Sequence, residues 1–290
     1  MDRQSGTAVG SDRRSSARES GEMGRRGIIL KSDRELELMR RAGLLVNRVL
    51  NEVRRVTKPG VSTADLNDLA EGMIRDAGAK PLFKGVVNKE ARFPFPAALC
   101  TSVNEQVVHG IPDRRPLIEG DIVSVDCGVQ LEGYCGDAAL TIAVGAVSDE
   151  VRRLMETAHG ALKLAIAEIR PGRTWGEIAR LLQRHVESQK MGVVRDFVGH
   201  GIGRSMHEEP KVPNYWDRKR KDMDFKLVPR LVIAVEPMVN LGTHEVTYAD
   251  GDRWTVRTKD GRPAAHFEHT IAVTEDGCRV LTLGEDGSGW

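Results

Sequence analysis

The chain has 290 residues and a mass of 32.0 kDa, and 40% of its residues are hydrophobic, which is enough for a sizeable core. Because 43 Lys and Arg residues balance 42 Asp and Glu residues, the charge gives no argument for a nucleic-acid or membrane partner. No apolar run approaches the ~20 residues of a membrane span, and four cysteines without a CxxC pair disfavour a disulfide framework. Composition therefore predicts a soluble, cytoplasmic, globular protein.

Residues 1–27 differ from the rest of the chain. They are rich in Ser, Gly, Arg and Glu and contain almost no large apolar side chains. Such a segment buries too little surface to offset the entropy lost on ordering, so it is predicted to be a disordered extension. Residues 28–290 are predicted to form the folded domain.

An amphipathic helix is predicted after the capping residues Ser32 and Asp33. Pro59-Gly60 ends this unit, and Ser62 can cap a second helix. The stripe of the first helix has apolar or small residues at steps of three and four, namely Leu36, Met39, Gly43, Val46, Leu50 and Val53.

A similar helix pair recurs 112 residues later. Ser148 opens a helix, Pro171-Gly172 breaks it, and Thr174 caps the next one. Each pair is followed by strand-like segments, at 121–125 and 134–144 in the first case and at 231–239, 254–259 and 266–273 in the second. The sequence thus predicts an α+β protein of two related halves, about 32–145 and 146–283, with any shared site at the seam. Chance similarity between two amphipathic helix pairs is the alternative.

Asp126 lies in the apolar run I-V-S-V-D-C-G-V, where an ionised carboxylate is costly unless it is paired or bound to metal. Asp137 follows eleven residues later. A hairpin turning at Leu131-Glu132 would place the two carboxylates directly opposite each other, where they repel unless a proton or cation lies between them. The same register puts Cys127 and Cys135 on opposite faces, which argues against a disulfide.

The second half supplies His200, Glu236 and Glu268, each beside an apolar strand-like segment. One imidazole and four carboxylates suit divalent transition metals with mixed nitrogen and oxygen ligands, and two such ions would balance four negative charges. Taken singly, a strand Asp is usually a turn or edge residue, and a buried His is usually a core residue. Glu208-Glu209 and the run 218–221 are interpreted as solvated charges.

The chain resembles type I methionine aminopeptidases, of the pita-bread fold, from about Ile28 to Leu283. The matching segments, in the order and spacing of that family, are S-V-N-E-Q-V-V-H-G-I-P from Ser102, G-D-I-V-S-V-D-C-G-V from Gly120, G-D-A-A-L-T from Gly136, G-H-G-I-G-R-S-M-H-E-E-P from Gly199, V-E-P-M-V from Val235 and F-E-H-T-I-A-V from Phe267.

The resemblance implies an α+β fold of two pseudo-symmetric halves, with an antiparallel sheet covered by helices. It also implies removal of the initiator methionine from nascent chains when the next residue is small, by a metal-bridged hydroxide. Asp126 would chelate one divalent ion (iron, manganese, cobalt or zinc), and His200 with Glu236 the other. Asp137 and Glu268 would bridge both ions, and Glu236 would also be the general base.

Further site residues follow from the same resemblance. His109 and His207 would contact the substrate and stabilise the tetrahedral intermediate. The side chains implied to line the methionine pocket are Phe95, Cys100, Met206 and Trp254. The partners implied are nascent N-termini near the ribosome, with a monomeric enzyme and neither nucleic acid nor membrane bound.

Three stretches depart from the family pattern. Pro94 stands where a glycine is usual, and Arg92 where an aromatic residue is common. Met206 stands at a position where bulky aromatic residues also occur. Val228-Pro229-Arg230 replaces the usual Pro-Gly turn before the Glu236 strand. None of these changes affects the five predicted ligands.

Other functions share this fold. X-Pro dipeptidases have the same five-ligand pattern, creatine-cleaving enzymes are a further possibility, and some binding proteins of the fold have lost their ligands. The segment N-E-Q-V-V-H-G-I-P and the short chain favour the methionine enzyme. Because all five ligand residues are present, a pure binding role is disfavoured.

Overall fold

A computed structural model describes residues 27–289, so the extension predicted for residues 1–27 lies outside the described residues except for Gly27. The described chain combines four α-helices with a nine-stranded antiparallel sheet and two three-stranded sheets, which confirms the α+β prediction. The helices are α1 (Asp33–Val56), α2 (Thr63–Asp76), α3 (Asp149–Glu168) and α4 (Trp175–Ser188). None of them combines the length and apolar character that a bilayer crossing requires.

The helices begin at the predicted residues because side chains there satisfy free backbone groups. Ser32 and Glu35 form a capping box at α1, with the Ser32 N–H donating to Glu35 Oε2 over 2.8 Å. Ser62 and Asp65 form the corresponding box at α2. The Ser148 hydroxyl accepts the Val151 N–H at α3 over 3.3 Å. The predicted helix starts are therefore confirmed.

The strands pair antiparallel throughout, and the main sheet runs β1-β4-β5-β14-β9-β7-β8, with β2 also pairing β4 and β15 also pairing β14. The strands are β1 (Lys80–Pro81), β2 (Leu99–Val103), β3 (Gln106–Val108), β4 (Ile122–Leu131), β5 (Tyr134–Ala143), β6 (Gly192–Val193), β7 (Gly199–Gly201), β8 (Glu208–Val212), β9 (Val232–Val235), β10 (Met238–Asn240), β11 (Val246–Tyr248), β12 (Val256–Thr258), β13 (Ala264–His266), β14 (Glu268–Val273) and β15 (Cys278–Val280).

Helix α1 covers the centre of the main sheet at van der Waals distance from β5. Gly43 of α1 faces Gly136 of β5, and a β-carbon on Gly136 would lie 2.8 Å from the Gly43 nitrogen. Only glycine permits this approach of helix backbone to strand backbone. The contact fixes β5 at the residue before Asp137, so the helix layer supports the strand that carries a predicted ligand.

The β4–β5 hairpin corrects the predicted register. Its turn is Glu132-Gly133, with φ angles of +53° and +82°, and Leu131 pairs with Tyr134. Two consecutive residues with positive φ match the right-handed twist of the strands, and the glycine adopts this conformation at little cost. Asp126 therefore faces Ala139 rather than Asp137, so the predicted direct pairing is wrong. A shift of two residues keeps both carboxylates on one face.

The cysteine prediction is confirmed. Cys127 pairs with Ala138 and Cys135 with Gln130, on opposite faces of the hairpin. All four cysteines lie in the described range and are free thiols.

The two helix pairs form equivalent hydrogen bonds with the segments that precede β4 and β9. The Gly60 N–H donates to the Leu117 carbonyl over 2.8 Å, and the Gly172 N–H donates to the Leu227 carbonyl over 3.0 Å. Both glycines have positive φ, at +94° and +89°. These parallels support the proposed internal duplication, which stays a prediction.

The turns before β4 and β9 also correspond, but their central residues differ. Gly120, with φ +94°, donates its N–H to the Val144 carbonyl over 2.9 Å. Arg230, with φ +72°, donates its N–H to the Val273 carbonyl over the same distance. A β-carbon is unfavourable in this left-handed region, so Arg230 holds strain that glycine would not.

We predict that Arg230→Gly raises the free energy of unfolding by about 0.5–1 kcal/mol, because relief of the left-handed strain exceeds the added entropy of the unfolded chain. Urea unfolding of the metal-free protein measures the change. The control is Arg230→Ala, which also removes the exposed ion pair with Asp33 but keeps the β-carbon. A glycine variant no more stable than the alanine variant would contradict the strain argument.

Candidate metal centre and substrate cavity

One cavity of about 220 Å³ brings together every site residue predicted from the sequence. Its walls come from the main sheet, from β3 and β10, and from the loops around residues 83–95, 197–207 and 254. The lining residues are Phe83, Val86, Phe95, Cys100, Val108, His109, Asp126, Asp137, Phe197, Val198, His200, Met206, His207, Glu236, Met238, Trp254, His266 and Glu268.

The carboxylates lie on two adjacent rows across the main sheet. In the first row, Cys100 of β2 pairs with Asp126 of β4, Asp126 pairs with Ala139 of β5, and Ala139 pairs with Glu268 of β14. Because side chains two residues apart on a strand share a face, these residues point to the same side of the sheet as Asp137. The row ends at Glu236, which directly follows β9.

The second row carries the remaining two predicted ligands. Asp137 of β5 pairs with Gly128 of β4 and lies beside Thr270 of β14, whose hydroxyl donates to the Asp137 carbonyl over 2.7 Å. Thr270 pairs with Ala234 of β9, and His200 of β7 follows on that strand's other side. Positions between the ligands are thus occupied by small residues.

This spacing leaves room above the sheet for a ligand. A β-carbon on Gly128 would lie 3.2 Å from Asp137 Oδ1 and 3.1 Å from the Phe83 ring. Ala139, fully buried between Asp126 and Glu268, contributes only a methyl group. The side chains of the five predicted ligands can therefore converge on one face of the sheet without clashing with their neighbours.

The buried carboxylates raise one another's pKa values. Burial, followed by the charges of Asp137 and Glu236, raises the pKa of Asp126 well above the usual carboxyl range. The same causes, together with Asp126, raise the pKa of Glu268. Burial also raises the pKa of Asp137 to about 7 and, with the Asp137 charge, that of Glu236 to about 8. Without a cation, this cluster holds protons near neutral pH.

His200 presents a neutral nitrogen to the cluster. Burial, with a contribution from His207, lowers the pKa of His200 to about 4, so its ring is uncharged at pH 7. Its Nδ1 lies 2.9 Å from the Gly201 carbonyl, which requires the proton on Nδ1 and leaves the Nε2 lone pair free. Nε2 lies 3.6 Å from Glu236 Oε1.

These residues fit a divalent cation. One ligand atom from each of Asp137, His200 and Glu268 lies within 4.8 Å of the other two. Asp126 Oδ1, Asp137 Oδ1 and Glu268 Oε1 are buried and lack a hydrogen-bond partner in the described part of the chain. Buried acceptors of this kind are costly unless a cation engages them, and the mixed set of carboxylates and imidazole suits transition metals.

Two further histidines flank the cluster. His109, at φ +58° just after β3, packs its ring edge-on against Phe197 with centroids 5.4 Å apart. Burial, with the charge of His207, lowers its pKa to about 4, so it is a neutral hydrogen-bond donor at pH 7. His207 is exposed at the mouth, with its ring centroid 4.3 Å from that of His200.

The opposite wall of the cavity is apolar. Phe95, Cys100 and Trp254 are buried in one cluster with Phe83, and Met206 packs against it. The Phe95 and Trp254 rings meet edge to face at 5.3 Å, and the Trp254 Nε1–H donates to the Phe93 carbonyl over 2.9 Å. A flexible thioether suits such a slot.

Several lining residues were not predicted from the sequence, and His266 is the most notable. Its Nε2 is buried, lacks a hydrogen-bond partner among the described residues and lies 4.0 Å from Glu236 Oε2. Its position two residues before Glu268 is the only sequence signal that could have revealed it. Met238, two residues after Glu236, carries the same kind of signal, whereas Phe197 carries none.

The interpretation of Glu208-Glu209 as a solvated pair is wrong for one member. The Glu208 side chain is only 10% exposed and forms an ion pair with Lys31, whereas Glu209 is exposed. The departures Arg92 and Pro94 are exposed, and the run 218–221 is exposed as predicted.

Comparison with known proteins identifies the class of protein to which this chain belongs. The profile of metallopeptidase family M24 matches residues 37–275, and the chain therefore belongs to that family. Asp137, His200 and Glu268 form a candidate metal-binding cluster consistent with this class.

Within the family, the chain is similar to methionine aminopeptidases. It is 48% identical to the methionine aminopeptidase of Clostridium acetobutylicum over 259 residues, which cover 89% of this chain and all of the relative. A crystal structure of methionine aminopeptidase from Thermotoga maritima has 40% identity and a TM-score of 0.82, covering 88% of this chain and 99% of that one. These similarities confirm the predicted pita-bread fold.

An Xaa-Pro dipeptidase from Bacillus anthracis shows likeness of fold alone. It has 22% identity and a TM-score of 0.67, covering 87% of this chain and 61% of that one.

We predict that Ala139→Val weakens metal binding about 10-fold or more, because added methyl groups between Asp126 and Glu268 displace their carboxylates at an overpacking cost of ~1–3 kcal/mol. Calorimetric titration of the metal-free protein with Mn²⁺ measures the affinity. The matched control is Ala143→Val, the same change on the same face of β5 but outside the cavity. Equal Mn²⁺ affinities for the two variants would show that the small residue between Asp126 and Glu268 does not control metal binding.

Proposed function

We propose that this protein is a metallo-aminopeptidase that removes the N-terminal methionine from polypeptides when the next residue is small. The observation that carries the proposal is the convergence of the five predicted ligands and the apolar slot in one cavity. The similarity to methionine aminopeptidases over nearly 90% of the chain supports the same activity.

The ligand set supports binding of two divalent ions. Asp126 would hold one ion, His200 and Glu236 the other, and Asp137 with Glu268 would bridge them. Two ions would balance the charge of four carboxylates, and iron, manganese, cobalt and zinc all accept such mixed ligands. When bound, the ions supply Lewis-acid polarisation of the scissile carbonyl and a lowered pKa for water.

Glu236 moves the proton in this proposal. Its carboxylate borders the cavity between His200 and His266, and burial raises its pKa to about 8 in the metal-free protein. It would accept a proton from water at a carboxylate oxygen and then donate it to the leaving amide nitrogen.

The two flanking histidines orient the substrate. His109 and His207 would donate hydrogen bonds to the scissile amide and to the oxygen on which negative charge develops. The methionine side chain would enter the slot formed by Phe95, Cys100 and Trp254, with Met206 at its edge. Steric exclusion beside Met206 and His207 would favour a small second residue.

The proposal also includes the location and the oligomeric state of the enzyme. We place the enzyme in the cytoplasm, where nascent N-termini emerge from the ribosome, and we expect it to act as a monomer. Neither nucleic acid nor membrane binding is part of the proposal.

The decisive experiment is a Met-X-Gly peptide series assayed with iron, manganese, cobalt and zinc. Met-Gly, Met-Ala and Met-Ser peptides should be cleaved, whereas Met-Lys and Met-Phe should be poor substrates. Met206→Phe should sharpen this discrimination, because a rigid ring narrows the space next to His207. Specificity constants measure the effect, and Leu-Gly-Gly is the control at the first position. Preference for X-Pro peptides, or equal cleavage of Met-Gly and Met-Phe, would refute the proposal.

Two single substitutions distinguish the role of His109 from that of the proposed metal ligands. We predict that His109→Ala lowers turnover by roughly 10²–10³-fold with metal content intact, the scale for loss of one transition-state contact. Asp137→Asn should instead lose metal and activity together, because a neutral amide replaces a charged bridge. Metal analysis and steady-state kinetics on both variants provide the test. Metal loss in His109→Ala would make His109 a ligand, and full activity in Asp137→Asn would contradict the bridging role.

A further inference from the structure

The segment Gly203–His207 carries two residues of the proposed substrate site, Met206 and His207, yet it belongs to no strand. Strand β7 ends at Gly201 and β8 begins at Glu208, with a register shift between His200 and Gly201. The pairing of Gly201 with Glu208 closes the loop at its base, and the ladder does not extend to Met206 or His207. The first half of the loop is also held by the β4–β5 hairpin, because the Cys135 N–H donates to the Gly203 carbonyl over 2.8 Å.

The loop also forms an ion pair with the N-terminal end of the domain. Lys31 is only 3% exposed, and its Nζ donates to Glu208 Oε2 over 2.6 Å and to the Ile29 carbonyl over 2.9 Å. The other oxygen of Glu208 accepts the Ser205 N–H over 3.3 Å. Glu208, the residue after His207, thus links the loop to Lys31.

Lys31 crosses the loop at its start. A β-carbon on Gly203 would lie 2.7 Å from Lys31 Nζ and 2.5 Å from Glu208 Oε1, so glycine leaves the space that the ion pair occupies. Lys31 is itself held, because its N–H donates to the Arg230 carbonyl over 2.9 Å, immediately before the cap of α1. The pair therefore connects the loop to a rigid helix start.

A second side-chain contact involves Arg204, near the start of the loop, and Tyr134 of β5. The Arg204 guanidinium lies 4.7 Å from the centre of the Tyr134 ring, and the Tyr134 hydroxyl donates to Glu35 Oε1 over 3.0 Å. Glu35 also closes the capping box of α1. The first residues of the folded domain thus contact the loop directly through Lys31 and indirectly through Glu35 and Tyr134.

A buried ion pair is an inefficient way to stabilise a fold, because desolvation offsets most of the attraction, and apolar replacements are often as stable. An ion pair does impose direction, since it holds two atoms at one separation. We propose that Lys31 and Glu208 are positioning residues, which hold the loop so that His207 and Met206 face the cavity. The expected change in peptide-cleavage kinetics rests on the proposed function, whereas the expected change in the mobility of the loop does not.

The test compares Lys31→Met with the double variant Lys31→Met/Glu208→Met. The single variant should lower kcat/KM for a Met-Ala peptide by about 10- to 100-fold, with metal content unchanged. Amide hydrogens in residues 201–209 should exchange about 10-fold faster. The double variant, which leaves no unpaired buried charge, should regain the wild-type melting temperature but not the wild-type kcat/KM.

The matched control is Lys259→Met, which removes an exposed lysine paired with Glu245 and should change none of these quantities. If the double variant regains both melting temperature and kcat/KM, or if Lys31→Met leaves kinetics and exchange at wild-type values, the pair has no positioning role. If the wild-type enzyme does not cleave methionine peptides, the proposed function fails, and hydrogen exchange still decides whether Lys31 holds the loop.

Discussion

Repulsion among four buried carboxylates is the constraint on which this structure depends. Asp126, Asp137, Glu236 and Glu268 converge on one cavity, and burial raises all four pKa values. Neighbouring negative charge raises the pKa values of Asp126, Glu236 and Glu268 further. Such a cluster is costly unless cations or protons neutralise it. The metal requirement of the family thus follows from the charge balance of this site.

The fold supplies the rigidity that this repulsion demands. The ligands lie on neighbouring strands of an antiparallel sheet, where the hydrogen-bond ladder fixes their spacing. Helix α1 presses against β5 through Gly43 and Gly136, directly beside Asp137. Because the ladder fixes the strand spacing, the carboxylates cannot relax apart, and the cluster stays a candidate site for cations.

The sheet and the loop at the cavity mouth carry different parts of the proposed site. The sheet carries the predicted metal ligands, whereas His207 and Met206 lie between β7 and β8, outside the ladder. In the proposed function this loop must face the cavity, and the Lys31–Glu208 ion pair contacts it from outside the predicted ligand set. The proposed metal binding and substrate positioning would thus depend on different interactions, which substitutions can separate.

Local rules predicted the parts of the molecule that depend on local interactions. Helix caps at Ser32, Ser62 and Ser148 were readable because capping involves residues within one turn. Motif order then indicated the family and all five candidate ligands. The register of the β4–β5 hairpin was missed, because a Glu-Gly turn in the left-handed region is not the favoured Asn-Gly signal.

Contacts between distant segments were decided only by the tertiary structure. His266 lies beside Glu236 because β13 pairs with β10, where His266 faces Met238. His266 and Glu236 are 30 residues apart in the chain, and no local sequence pattern relates them. Glu208 was taken for a solvated residue because its partner, Lys31, is 177 positions away. Burial and pairing of a charge depend on which segments pack against it, and one segment's sequence does not contain that information.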